Sequence, residues 1–218
     1  MRLIKDNGLT IVLMLLFLVS IVGQLISGWH VALDDAARHG QRLMDLGSYA
    51  ASPQFISAVF ENWESEFLQM AAYVVLTAIL VQRGSAESKD PDLGPRDHDL
   101  AGKARDPEAP SILRRGGMWQ TLYSRSLGIA LGALFLISFV LHWVASARVA
   151  AQDAVMHGQP APTVLGYLAD AQLWFESFQN WQSEFLSTAV LVVLSIFLRQ
   201  RGSPESKPVA APHRQTGA

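Results

Sequence analysis

Two glutamates, Glu66 and Glu184, have the clearest potential for chemistry in this sequence, because each lies in an otherwise apolar stretch. A carboxylate away from water can take up and release a proton, since burial raises its pKa and a nearby imidazolium lowers it. Helical spacing predicts that Gln24 and His142 reach a similar depth on the preceding helices. The residues that we expect to form an ion or proton site are Glu66, Glu184, His142, Gln24, Asn62 and Asn180.

The alternative role for these residues is structural, and it is the one we favour. Asn62, Glu66, Gln69, Tyr73 and Thr77 follow one another at spacings of 4, 3, 4 and 4, which places them on one face of a helix. The aligned stripe of the later helix contains Asn180, Glu184, Ser187 and Ser195. A polar stripe in lipid must face another helix or a wet cavity, so it can join helices as well as carry ions.

A second set of residues has the types that hold a divalent metal such as zinc. Asp35 and His39 are four residues apart, as are Asp153 and His157, so each pair shares a helix face. Pairs at this spacing are common, and the chain has neither an HExxH motif nor a cysteine. The simpler interpretation of each histidine is a loop residue before a Gly-Gln turn.

No reaction signature accompanies these residues. Nothing matches a phosphate-binding glycine loop, a dinucleotide fingerprint or a serine nucleophile elbow. The basic residues also lack the interleaved aromatics that are typical of nucleic-acid binding. We therefore expect a protein that is not an enzyme, uses no cofactor and binds no nucleic acid.

The elements that position these residues occur twice. Residues 60–89 align with residues 178–207 at an offset of 118, without a gap and with 19 of 30 positions identical. The same offset pairs the two His-Gly-Gln triplets, at 39–41 and 157–159. We therefore predict two copies of one module, 1–89 and 119–207, joined by a flexible linker at 90–118 and followed by a disordered tail at 208–218.

The apolar residues, 50 % of the chain, are concentrated in segments long enough for a membrane. Leu9–Ile26 and Leu127–Ala147 each have about the 20 residues needed to cross the hydrocarbon core. The segments Phe67–Val81 and Phe185–Leu198 reach that length with their upstream turns, within helices expected at 53–83 and 171–201. Gly84 and Gly202 are then expected to cap these two helices. The fold predicted is all-α, with four transmembrane helices; a soluble bundle of unusually apolar helices is the alternative.

The positive charges predict the topology. Of the 17 Lys and Arg residues, 14 lie in the N-terminal segment, in the connection from Arg83 to Arg125 or in the C-terminal segment from Arg199, whereas only Arg38, Arg42 and Arg148 lie on the opposite side. This bias favours cytoplasmic termini in a bacterial inner membrane. Two crossings per module then give two parallel-oriented helical hairpins, related by a pseudo-two-fold axis along the membrane normal.

The motifs NWESEF and NWQSEF, with HGQ upstream and QRGSAESK or QRGSPESK downstream, resemble those of an uncharacterised family of bacterial integral membrane proteins. The resemblance covers both modules and implies a four-helix membrane protein. It implies no activity, cofactor or catalytic residue.

Two hypotheses for function follow. The first is a non-enzymatic structural or accessory membrane protein, and the alternative is a small proton- or cation-handling transporter or channel that uses the paired glutamates. The lipid bilayer is the one partner that the pattern predicts. A single chain already closes the two-fold, so a homo-oligomer is compatible with the pattern but not required by it.

Overall fold

The computed structural model describes residues 6–94 and 99–217, and among them it has helices but no strands. The α-helices are α1 (Gly8–Arg38), α2 (Leu46–Ala50), α3 (Pro53–Ile79), α4 (Leu100–Lys103), α5 (Gly117–Ser124), α6 (Ser126–Met156) and α7 (Ala171–Phe197). Two short 3-10 helices lie at Ser111–Arg115 and Gly166–Ala169. The predicted all-α class is confirmed.

Two of the described helices, α1 and α6, are long and apolar enough to cross a membrane. Their most apolar stretches are 0 % and 11 % buried within the protein, respectively. The core helix of a soluble protein would bury most of such a stretch. Side chains such as Leu9 and Val19 of α1 instead lie on the surface of the protein.

The chain forms two compact units that do not follow the repeat boundaries. One contains Met1–Phe60 and Leu141–Ala169, and the other contains Glu61–Val140 and Asp170–Ala218. Each unit therefore takes residues from both copies of the repeat. The division into two modules and a linker stays a prediction.

The two helices with the repeated motif begin where their caps predict. Ser52 Oγ accepts a hydrogen bond from the backbone N–H of Phe55 at 3.3 Å, and α3 starts at Pro53. Asp170 Oδ1 accepts from the N–H of Gln172 at 2.8 Å, and α7 starts at Ala171. A side-chain oxygen before the first turn satisfies a helix N–H that has no partner within the helix.

The ends of the same helices correct the prediction. Helix α3 stops at Ile79 rather than at residue 83, and α7 stops at Phe197 rather than at residue 201. The N–H of Gln82 is taken by Ser88 Oγ at 3.0 Å, and that of Gln200 by Ser206 Oγ at 2.9 Å. These serines compete with the helix carbonyls, so Gly84 and Gly202 lie beyond the helices and do not cap them.

The His-Gly-Gln triplets close α1 and α6 in the same way. Gly40 and Gly158 have φ of +63° and +68°. The N–H of Gln41 donates to the carbonyl of Ala36 at 2.8 Å, and that of Gln159 donates to Ala154 at 2.8 Å. This is the Schellman motif, in which a left-handed glycine lets the chain reverse and satisfy the last helix carbonyls.

The segments predicted to be linker and tail contain defined structure in their described parts. The linker includes α4 and the 3-10 helix Ser111–Arg115. The tail is described through residue 217, where Thr216 is 8 % exposed. Three residues of the predicted charge bias, Arg2, Lys5 and Arg96, lie outside the described residues, as does Ala218 of the tail.

Candidate functional site

The polar side chains of α3 and α7 pair with one another along a seam. Asn180 Nδ2 donates to Glu61 Oε1 at 2.6 Å, and Trp181 Nε1 donates to Glu64 Oε1 at 2.8 Å. Further along, Gln69 Nε2 donates to Thr188 Oγ1. The partners are 119, 117 and 119 residues apart. A nearly constant separation means that the two helices run parallel and in register along the seam.

Glu64 is the most deeply buried acid of the seam, with 0 % of its surface exposed. Its partner Trp181 packs at 5.3–6.5 Å between ring centroids against three other aromatic rings of the same unit. Those rings are Phe135, Trp174 and Phe178. The bond from the indole therefore lies at the edge of an apolar cluster, where a hydrogen bond is poorly replaced by water.

The predicted pair Glu66 and Glu184 belongs to the same unit. Their carboxylates are close enough for their charges to interact. Glu66 is exposed and Glu184 is half-buried. The seam thus brings the two glutamates near each other, one turn before the Gln69–Thr188 contact.

The other four predicted residues are distributed over both units. Asn180 lies in the seam, and Asn62 is exposed on α3. His142 is fully buried and Gln24 is half-buried, both in the other unit. A joint site of glutamates, histidine and glutamine stays a prediction.

Each predicted metal pair is a local contact at the C-terminal end of one helix. His39 Nδ1 lies 3.0 Å from the backbone carbonyl of Asp35 and 3.3 Å from its carboxylate. His157 Nδ1 lies 2.9 Å and 3.4 Å from the same groups of Asp153. All four side chains are at least 63 % exposed. Binding of a metal by these residues stays a prediction.

The repeated QRGS loops, residues 82–89 and 200–207, are the feature that sequence reasoning underestimated. Gly84 and Gly202 both have φ of +86°. The N–H of Glu87 donates to Ser85 Oγ at 3.1 Å, and that of Glu205 donates to Ser203 Oγ at 3.2 Å. Identical residues therefore build the same turn twice, where the sequence predicted only that Gly84 and Gly202 cap the two helices.

The C-terminal tail lies on the first QRGS loop, and Lys207, the last residue of the second QRGS loop, also binds it. The N–H of Gly84 donates to Thr216 Oγ1 at 2.9 Å, and the N–H of Gly217 donates to the carbonyl of Ser85 at 2.9 Å. Lys207, which is 1 % exposed, donates to the carbonyls of Gly84, of His213 at 2.9 Å and of Gln215 at 3.0 Å.

Burial, and then the charge of Arg199, lower the pKa of Lys207. The ammonium nevertheless has three oxygen acceptors, which is what a buried cation requires.

A third missed feature lies beside the first loop. Tyr73 Oη donates to Glu87 Oε2 at 2.6 Å. Glu205, the repeat counterpart of Glu87, acts on the same carboxyl group. Burial, together with the negative charge of Glu205, raises the pKa of Glu87 against the effect of the tyrosine hydrogen bond. The repetition of ESK in both copies was the signal that could have directed attention to these acids.

The whole chain, residues 1–218, matches the model of one protein family, described as a domain of unknown function (DUF6766). The chain belongs to this family. Neither a curated protein nor a solved structure matches the chain.

Proposed function

We propose that this member of the DUF6766 family is a multi-pass bacterial inner-membrane protein, with four membrane helices and a non-enzymatic structural or accessory role. The seam carries the proposal, because its polar side chains are used to join α3 and α7. The separation of the partners, 117–119 residues, is close to the repeat offset of 118. Equivalent positions meet in this way when two copies are related by a two-fold axis parallel to their helices.

The polar stripe then holds α3 and α7 together through hydrogen bonds. Lipid offers no hydrogen bonds, so Glu61, Asn180, Gln69 and Thr188 are best satisfied by one another. Asn180→Leu is expected to lower the thermal midpoint of the purified protein by removing the donor to Glu61. Gln179→Leu, an exposed position of the same helix, is the matched control. Equal midpoints for the two variants would contradict a structural role of the stripe.

The proposed topology places the linker and both termini in the cytoplasm and the α1–α3 connection outside. The chain has no cysteine, so a maleimide labels only the cysteine that is introduced. Leu43 and Leu93 are 62 % and 72 % exposed, and the proposed topology places them on opposite sides of the membrane. In intact spheroplasts, a membrane-impermeant maleimide is expected to label Leu43→Cys but not Leu93→Cys, which reacts after permeabilisation. Labelling of both variants in intact spheroplasts would reject this topology.

A second candidate function is proton or cation handling, and the proximity of Glu66 and Glu184 favours it. Two nearby carboxylates can share a proton, because both are not easily ionised together. Proteoliposomes should then show a proton or cation flux that is lost in the double variant Glu66→Gln, Glu184→Gln. Asp92→Asn, outside the helices, is the control. If folded wild-type protein shows no flux, the structural role is the one of the two candidate functions that is kept.

A further inference from the structure

A cavity of about 410 Å³ lies in the second unit, against the first QRGS loop. Its walls come from the last turns of α3, from the residues that follow α3 and from α7, and they are mainly apolar. Leu76, Leu80, Phe185, Val192 and Val193 are among the lining residues. Its volume falls in the range of about 300–1,000 Å³ that is usual for pockets that hold small molecules.

One end of the cavity carries a carboxylate. Glu87 lines the cavity, and its Oε2 accepts the hydrogen bond from Tyr73. The other oxygen, Oε1, is buried and has no hydrogen-bond donor among the described residues. Glu205 acts on the same carboxyl group through its negative charge and through a side-chain hydrogen bond that favours the protonated form of Glu87. A buried carboxylate oxygen without a donor is uncommon in proteins and calls for a positively charged or donating partner.

Three of the four basic residues of the two QRGS loops are engaged elsewhere in the structure. Arg83 pairs with Asp92 at 2.8 Å, and Lys89 donates to the carbonyl of Ala78. Lys207 donates to its three carbonyl groups. The fourth, Arg201, is exposed. The side chains that act on Glu87 are Tyr73 and Glu205, and neither is a cation, so a positive partner for this carboxyl group would come from a ligand.

We propose that this cavity binds a hydrophobic organic cation, with its charge beside Glu87 and its apolar body between α3 and α7. The rings of Tyr73 and Phe185, which also line the cavity, suit an ammonium or phosphonium group because aromatic faces attract cations. A small metal ion would need several oxygen ligands, whereas these walls are apolar. An anionic lipid headgroup would be repelled by Glu87 and Glu205.

Binding is coupled to protonation. A cation competes with the proton on Glu87, so affinity should rise with pH until Glu87 is ionised. The titratable groups that face Glu87 are Tyr73 on α3 and Glu205 in the second QRGS loop. Because Glu205 interacts with this carboxyl group through charge and a hydrogen bond, the pH dependence should report the protonation of the two acids as a pair.

The test is equilibrium dialysis of the purified full-length protein in a neutral detergent, with radiolabelled tetraphenylphosphonium and, separately, the neutral triphenylphosphine oxide. Wild-type protein is expected to bind the phosphonium and to discriminate against the oxide. Glu87→Gln should weaken phosphonium binding at least about tenfold, since one partner of a shielded charge pair is lost. Binding should weaken as the pH is lowered through the raised folded-state pKa of Glu87.

Two tryptophan variants test whether the phosphonium binds inside the cavity. Ala189 lines the cavity, so Ala189→Trp should fill it and abolish binding. Leu194 is 45 % exposed and does not line the cavity, so Leu194→Trp is the matched control and should bind as the wild type does. Thermal midpoints of all variants identify any that fail to fold, and the Leu194→Trp protein shows whether an added indole alone is harmful.

Two results would overturn the proposal. One is unchanged phosphonium binding by Glu87→Gln. The other is equal binding of the neutral oxide, which would identify the cavity as an acyl-chain groove that co-purified phospholipid occupies. Neither result affects the cysteine labelling that tests the membrane topology, so the two proposals fail separately.

Discussion

At the scale of single residues, the seam depends on buried polar atoms that satisfy one another. Glu64 has no exposed surface, and its carboxylate accepts the hydrogen bond of the Trp181 indole. Glu66, only two positions further along α3, is exposed. The same residue type at neighbouring positions therefore has different roles, because successive residues of a helix point about 100° apart.

Replacing Glu64 tests this difference. Glu64→Ala leaves the Trp181 N–H without its acceptor, which should lower the free energy of unfolding by about 1–3 kcal/mol. Glu64→Gln retains an acceptor oxygen, so its free energy of unfolding should fall by less. Glu66→Gln is the control and should change stability by less than about 0.5 kcal/mol, as is usual for surface substitutions. Chemical denaturation in a fixed detergent measures all three. Equal losses for Glu64→Ala and Glu66→Gln would argue against the buried bond.

The spacing of the polar residues predicted the face of α3 but not all of its partners. Asn180, Gln69 and Ser195 were expected on the stripe, and each makes a contact in the second unit. Glu61 and Glu64 were not on the predicted stripe. Periodicity gives the angular position of a residue on its own helix, whereas the partner depends on how the two helices are rotated against each other. That rotation is a tertiary property, and the aromatic cluster around Trp181 contributes to it.

At the scale of elements, the helix starts were predictable and the ends were not. Ser52 and Asp170 are local caps, so their effect can be read from adjacent residues. The ends depend on Ser88 and Ser206, six residues after the N–H groups that they bind. Two basic side chains also bind backbone carbonyls near the helix ends. Arg199 Nη1 donates to the carbonyl of Leu198 at 2.8 Å, and Lys89 donates to that of Ala78.

The two loop glycines form a natural pair for comparison. Both have φ of +86°, so either change to alanine should cost about 1–2 kcal/mol of backbone strain. A Cβ at Gly84 would also lie 2.9 Å from the carbonyl oxygen of His213, whereas at Gly202 it would meet no atom within 4 Å. Gly84→Ala should therefore be the more destabilising and should speed hydrogen exchange of the 212–217 segment. Similar exchange in both variants would contradict the docking of the tail on the first loop.

A pH dependence is expected at α2. Asp45 accepts hydrogen bonds from the Ser48 hydroxyl at 2.6 Å and from its N–H at 3.1 Å. These bonds, the hydroxyl first, hold the pKa of Asp45 below the usual 3.8. The cap should therefore stabilise α2 above about pH 3.8 and be lost as the pH falls through the lower folded-state pKa.

A carboxyl NMR titration would measure this shift. Ser48→Ala should raise the titration midpoint of Asp45 toward the usual value, because the main hydrogen-bond donor is removed. Ser27→Ala is the control, since that hydroxyl donates to the backbone of its own helix. A midpoint for Asp45 that does not respond to Ser48→Ala would exclude the cap as the cause.

At the scale of the whole molecule, the duplicated sequence gives two equivalent helices that run in the same direction. The charge bias and two membrane crossings per module predict one orientation for both modules, and across the membrane this stays a prediction. The seam adds a register, because partners 117–119 residues apart hold α3 and α7 side by side in the second unit.

Chemical crosslinking can test the register in a chain that has no cysteine. A short bismaleimide should join the double variant Gln69→Cys, Thr188→Cys within one chain, because these side chains touch. The double variant Gln69→Cys, Asn180→Cys moves one site by about 12 Å along α7 and should react far less. Denaturing gels that separate crosslinked from open monomers provide the measurement. A stronger crosslink in the second variant would require a different register.

The docking of the tail determines how the protein can be handled. Thr216 and Gly217 bind the first QRGS loop close to the carboxyl terminus. A purification tag or fluorescent reporter fused there would compete with this contact and could release Lys207 from its carbonyl acceptors. Leu93, 72 % exposed in the segment between the repeats, is the better insertion point for an epitope. A topology reporter placed at the carboxyl end would alter the structure that it is meant to locate.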